Sequence, residues 1–195
     1  MLKSEYLQWK LNRTPLWRIR KRNRLFKKLF AKIDGTPYTI LSPFHAQQGN
    51  NTYIGKNFFC NANCQILDHE KVFIGDNVLL APNVTILTIS HPLDAEQRKV
   101  ARFANSFEPH KRGNIEVNAP VVIGDNVWLA TGVTVCPGVT IGNNSVIGAG
   151  SIVTRDIPSN VFACGVPCRV IRKITAADRI EIDPSILSNL EHTHE

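Results

Sequence analysis

Aliphatic side chains recur every sixth residue over much of the chain. Ile123, Leu129, Val135, Ile141, Ile147 and Val153 form one run, Ile74, Leu80 and Ile86 a second, and Ile54, Cys60 and Ile66 a third. With 43% apolar residues, twelve apolar positions in one frame would arise by chance about once in 10⁴–10⁵ trials. Small residues follow several of these positions (Gly55, Gly75, Gly124, Ala130, Gly142, Gly148). Four places on come Val78, Val84, Val127, Val133, Val139, Ser145 and Ser151. A period of six fits neither the 3.6 of a helix nor the plain 2 of an isolated strand. It predicts a mainly β chain with three short strands per coil of roughly eighteen residues, stacked as a parallel β-helix about 4.8 Å per coil. Gly and Asn between the apolar positions suit the tight corners. The runs at Ile54 and Ile74 lie twenty residues apart, so two residues are inserted near Asp68–Lys71. The runs at Ile86 and Ile123 lie 37 apart, so a long loop leaves the coil within Pro92–Pro120, and such loops are usually functional.

Ahead of the repeat the pattern changes to a helical one. Leu25, Phe26, Leu29, Phe30 and Ile33 mark an apolar stripe, and Lys21, Arg22, Arg24, Lys27 and Lys28 fill the opposite face. Residues 1–20 and the tail after Thr175 carry no pattern from which a fold can be read.

The net charge of +7 is concentrated at one end. Residues 1–32 hold eleven Lys or Arg against Glu5, a balance of +10, and the remainder carries −3. The simplest reading is a solvated face on a helix packed against the main domain. The second is weak contact with an anionic surface, a lipid or an acidic glycan. Nucleic acid is not expected, because no aromatic stacking set or DNA-binding motif accompanies the charge. A chain of 195 residues suits one domain with a small appendage. It has no apolar stretch of about 18 residues to cross a membrane and no apolar segment like a secretory signal. Five cysteines, an odd number, argue against a disulfide framework and for a reducing, cytoplasmic setting.

The segments IGKNFFCNANCQILD, IGDNVLLAPNVTIL, SHPLD, IGDNVWLATGVTVCPGVTIGNNSVIGAGSIVTRDIPSN and CGVPCRVIRKI resemble the hexapeptide-repeat acetyltransferases, most of all the maltose/galactoside O-acetyltransferases. The likeness runs from about Pro43 to Lys173. It implies a left-handed β-helix, an exception to the usual right-handed crossover. It also implies a homotrimer with acetyl-CoA bound in clefts between subunits and no metal requirement. The expected organisation is a basic helical segment over 1–42, the β-helix over 43–170 with its excursion at 92–120, and a tail over 171–195.

O-acetyl transfer needs a base for the acceptor hydroxyl, a thioester held beside it and donors for the oxyanion. Imidazole suits the first task because it titrates near working pH. Of six histidines, His91 is the one the hexad places at a corner where the chain departs, and the resemblance puts the family's catalytic base there. Its other reading is a polar residue capping a turn. By the same resemblance Asn61 helps position the acceptor hydroxyl, although it also suits an ordinary corner. His69 stands where relatives carry an acidic acceptor ligand; it could equally be a solvated turn residue of the insertion. Acetyl-CoA is expected at Trp128, Thr131, Ala149, Thr154, Arg155, Arg169 and Arg172. Trp128 would border the cleft or cover a neighbouring subunit, and Thr131 would aim its amide at the thioester oxygen. Ala149 and Thr154 would meet the pantetheine arm, and the three arginines the phosphates at the nucleotide end. Cys60 and Cys64 read as core, and Cys164 and Cys168 also read as structure, since a lone C-x₃-C pair with no second pair makes a poor zinc site.

Two stretches depart from the relatives. The N-terminal segment does not align with theirs, and the loop from Pro92 to Pro120 is about a dozen residues longer. The donor side therefore matches better than the acceptor side. The leading expectation is transfer to a hydroxyl of a sugar or related small acceptor. Polysaccharide- or antibiotic-modifying acetyltransferases and a non-catalytic β-helix trimer are the alternatives. A zinc carbonic anhydrase on the same fold is disfavoured, since His69, His91 and His110 lack the close histidine pair such a site needs.

Overall fold

The protein is described by a computed structural model covering residues 3–35, 38–99, 101–102, 112–113 and 115–183. The expected six-residue period is realised as three parallel sheets wrapped around one aliphatic core. The first face aligns Ile33, Ile54, Ile74, Ile123 and Ile141 in register. The second aligns Ile40, Cys60, Leu80, Leu129, Ile147 and Ala163. The third aligns Ala46, Ile66, Ile86, Val135 and Val153. All twelve residues of the hexad frame are at most 4% exposed. About six coils result, the last formed by Ile157, bridged to Ile141, and the strand Val161–Cys164. Cys60 and Cys64 lie inside the core as expected.

The corners explain the small and polar residues of the repeat. Asn57, Asn77, Asn126, Asn144 and Asn160 all adopt left-handed backbone, which Asn tolerates better than most residues. Their side-chain amides form a ladder up one edge, with Nδ2 donating to the next Oδ1 at 2.8–3.0 Å. Gly124 is required by contact instead: a Cβ there would sit 2.2 Å from Asn143 Oδ1. The buried hydroxyl of Ser145 donates to the Pro158 carbonyl at 2.8 Å, and that of Ser151 accepts from the Gly165 amide at 3.0 Å.

The first coil begins with strand Lys32–Ile33, ahead of the expected start at residue 43. The helical spacing of apolar residues runs through Ile33, but helix α2 spans Ile19–Leu29 and Phe30 turns the chain to extended backbone. Stacking Ile33 under Ile54 decides this over one more helical turn. Helix α1, Lys3–Arg13, falls in the segment expected to be helical, where residues 1–20 carry no readable pattern of their own. Its inner face buries Leu7, Gln8 and Leu11. Gln8 and Asn12, one helical turn apart, act as a substitute strand for the open edge at Phe44–Ala46. Gln8 exchanges bonds with both Ala46 backbone groups (2.5 and 2.9 Å), and Asn12 with both of Phe44 (2.9 and 3.0 Å).

Arg22 corrects the expected charge pattern. It is 4% exposed, unlike Lys21, Arg24, Lys27 and Lys28, which face solvent as expected. Its guanidinium donates to the carbonyls of Leu11 (2.9 Å), Thr14 (2.7 Å) and Ile40 (2.6 Å), and burial lowers its pKa. It therefore ties the carbonyl end of α1, where a cation is favoured, to the first coil. At the other end, strand Arg169–Lys173 pairs antiparallel with Val161–Cys164 and closes the second face. No helix among the described residues is long and apolar enough to cross a membrane.

Candidate active site

The excursion leaves the coil after Thr88, a few residues ahead of Pro92, where the sequence placed its start. Thr88 is wholly buried, and its carbonyl accepts from the amide of Ala119, the returning limb, at 2.9 Å. Beyond it, Ile89–Ser90 pairs antiparallel with Val117–Asn118 in a ribbon two residues long. Further out, Ala101–Arg102 pairs with Arg112–Gly113. Residues 103–111, including His110, lie outside the described residues.

His91 directly follows this ribbon, exposed, beside the edge between the third and first faces. Its Nδ1 lies 2.9 Å from the carbonyl oxygen of Ile115. A carbonyl can only accept, so Nδ1 carries the proton and the lone pair of the neutral ring is on Nε2. His69 sits on the same edge, one coil below, in the Asp68–Lys71 insertion. Its Nδ1 is 3.1 Å from Glu116 Oε2, a pairing that sequence reasoning missed because it crosses the excursion. His69 also lines a cleft of about 430 Å³ with Lys3, Lys28, Gln47, Gln48 and Asn50.

A second set of residues occupies the edge between the second and third faces. Asn61 ends the strand Phe59–Cys60, and its Oδ1 accepts from the Ala62 amide at 2.8 Å. It shares a surface hollow of about 480 Å³ with Phe59, Leu79, Ala81 and Trp128, the last 47% exposed. Thr131 and Ala149 stack on this edge, joined by a 2.8 Å bond from the Gly150 amide to the Thr131 carbonyl. The Thr131 amide donates to no acceptor among the described residues. Gly132 and Gly150 turn the corner with φ of +71° and +68°, and a Cβ at Gly150 would meet nothing within 4 Å. The backbone here is open to close approach.

Thr154 and Arg155 lie exposed on the His91 edge. Arg169 and Arg172 project from the closing strand. Arg169 bonds its neighbouring Cys168 carbonyl at 2.8 Å. Arg172 forms a two-pronged pair with Asp178 (2.8 and 2.6 Å), which holds that carboxyl down at about 2. Within one chain the sequence-derived residues other than Arg169 and Arg172 thus split into two groups. His69, His91, Thr154 and Arg155 flank one edge of the prism, Asn61, Trp128, Thr131 and Ala149 flank another, and the third face lies between them. Among the described residues no group of three or more His, Cys, Asp or Glu side chains is placed to hold a metal ion.

A parallel β-helix built on a six-residue repeat defines a class, the hexapeptide-repeat transferases. Residues 120–155 match the family described as bacterial transferase hexapeptide (six repeats). The galactoside O-acetyltransferase of Escherichia coli (strain K12) is 44% identical over 178 residues, covering 91% of this chain and 81% of that protein. A solved galactoside acetyltransferase in complex with coenzyme A superposes with a TM-score of 0.81 at 42% identity, covering 93% of this chain and 84% of the other. A maltose O-acetyltransferase from Clostridium difficile 630 gives 0.78 at 45% identity, with coverages of 88% and 84%. The chain therefore belongs to the hexapeptide-repeat acetyltransferases, alongside the galactoside and maltose enzymes, and has their left-handed parallel β-helix.

Proposed function

We propose that this protein transfers an acetyl group from acetyl-CoA directly to a hydroxyl of a sugar or related small acceptor, with His91 as general base. The observation that carries the reading is the Nδ1–H to Ile115 bond, which leaves Nε2 as the basic atom on an exposed edge. Nε2 takes the acceptor's proton as the oxygen attacks the thioester carbonyl. The C–S bond then breaks, and the same imidazolium protonates the departing thiolate. The Thr131 amide steadies the tetrahedral oxyanion. Likeness to a coenzyme A-bound relative supports the donor assignment.

The division of the residues between two edges favours a homotrimer. One protomer would offer the His91 edge, with His69 and its cleft for the acceptor. Its neighbour would offer the edge carrying Asn61, Trp128, Thr131 and Ala149. The pantetheine arm would run past Ala149 and Thr154 towards Arg155, Arg169 and Arg172, whose forks suit phosphate. The exposed cations Lys21, Arg24, Lys27 and Lys28 of α2 suit a weak anionic contact, and the cytoplasm suits the free thiols.

Thiol release from acetyl-CoA, measured against a panel of glycosides, tests the reading. Release that depends on an acceptor and disappears in His91→Ala is expected. An enzyme inert towards every hydroxylated acceptor would leave the non-catalytic trimer as the better description.

A further inference from the structure

The two-residue insertion at Asp68–Lys71 has a physical consequence beyond the shape of its coil. Asp68 is wholly buried and accepts from the amides of Gln48 (2.8 Å), Gly49 (3.1 Å) and Asn51 (3.2 Å) and from the Thr52 hydroxyl (3.0 Å). The Asn51 side chain returns a bond to the Asp68 carbonyl at 2.9 Å. The Glu70 amide donates to the Thr88 hydroxyl at 2.9 Å, where the excursion leaves the coil. His69 therefore stands on a turn fixed from both sides.

The excursion has less backbone pairing in its limbs next to the coil. Its base is a ribbon of two residue pairs, a length with little stability of its own. Just past that ribbon, adjacent residues of the returning limb make two contacts. Glu116 reaches back to His69 at 3.1 Å, and the Ile115 carbonyl takes the Nδ1 proton of His91 at 2.9 Å. One short stretch of backbone joins the rigid turn to the base.

We propose that Glu116 is a positioning residue for His91. Its carboxylate, clipped to His69, holds the returning limb in place and so keeps the Ile115 carbonyl on Nδ1. Without the clip the limb drifts, the imidazole loses its tautomer preference, and the basic nitrogen is no longer always the one facing the acceptor. The inserted residues supply the anchor for this device. The proposal rests on the reading of His91 as the base.

Two readouts test it separately. Two-bond ¹H–¹⁵N NMR of the resting protein reports the His91 tautomer. The wild type should show the Nδ1–H form, and Glu116→Ala a mixture. In kinetics, Glu116→Ala and His69→Ala should each lower kcat about ten- to a hundred-fold, with the acetyl-CoA KM unchanged. Glu116→Gln should recover most of the loss, because its amide oxygen still accepts from the His69 N–H. The double variant should be no worse than His69→Ala alone, since both substitutions break the same contact. Wild-type kcat in Glu116→Ala, or a loss of turnover with the His91 tautomer unchanged, overturns the proposal. Should His91→Ala itself stay active, the base assignment fails instead, and the tautomer spectra still report whether the clip exists.

Discussion

Replacing His91 by Asn separates its two nitrogens. The Asn amide can still donate to the Ile115 carbonyl, now 2.9 Å from Nδ1, but offers nothing basic where Nε2 stood. A positioned general base contributes about 10²–10⁴ in rate, or about 2.7–5.4 kcal/mol of barrier. The folded state has little at stake. His91 is exposed, and a bond of this kind is worth about 1 kcal/mol, or about 2–4 °C in Tm for a chain of this length. His91→Ala, which loses the bond as well, should melt only slightly below His91→Asn. Thiol release with the best acceptor of a sugar panel gives kcat, and calorimetry gives acetyl-CoA affinity. Both variants should lose at least a hundred-fold in kcat and still bind acetyl-CoA and assemble normally. Turnover within about ten-fold of wild type in His91→Asn would refute the reasoning, since loss of a positioned general base costs at least about a hundred-fold.

Arg22→Ala leaves the Leu11, Thr14 and Ile40 carbonyls without their shared donor, and chemical denaturation should show a loss of about 3 kcal/mol. Gly124→Ala forces a Cβ to within 2.2 Å of Asn143 Oδ1 and should cost about 1–3 kcal/mol by the same measurement. Gly150→Ala meets no neighbour and should cost only its backbone strain at φ +68°, about 1–2 kcal/mol. Asp178→Asn removes the carboxylate that competes with phosphate for the Arg172 fork, so steady-state kinetics should show an acetyl-CoA KM about two- to five-fold lower at unchanged kcat. Because Asp178 titrates at about 2 in the folded protein, below an ordinary carboxylate, its pair is present above the ordinary value and fades only as pH falls through about 2. A carbon-detected NMR titration should find no step for Asp178 between pH 4 and 8.

The chain's own order specified the coil and its interior. In a β-helix each buried position is set by a neighbour six residues away and repeated by the next coil. Register is therefore written locally, and Ile123 falls on Ile74 although they are 49 positions apart in the chain. The same regularity marked the insertion at Asp68–Lys71 and the excursion, both as interruptions. Three-dimensional packing decided whatever depended on partners distant in sequence. Arg22 has the spacing of a solvated cation, and only the approach of α1 and the first coil turns it into a buried clamp. Glu116 is one acid in an irregular loop until the returning limb sets it against His69. The tautomer of His91 likewise depends on a carbonyl 24 residues away. Periodicity records which residues must avoid water, because that constraint repeats with the backbone. A hydrogen bond between two loops repeats with nothing, so it becomes visible only when both ends occupy the same place.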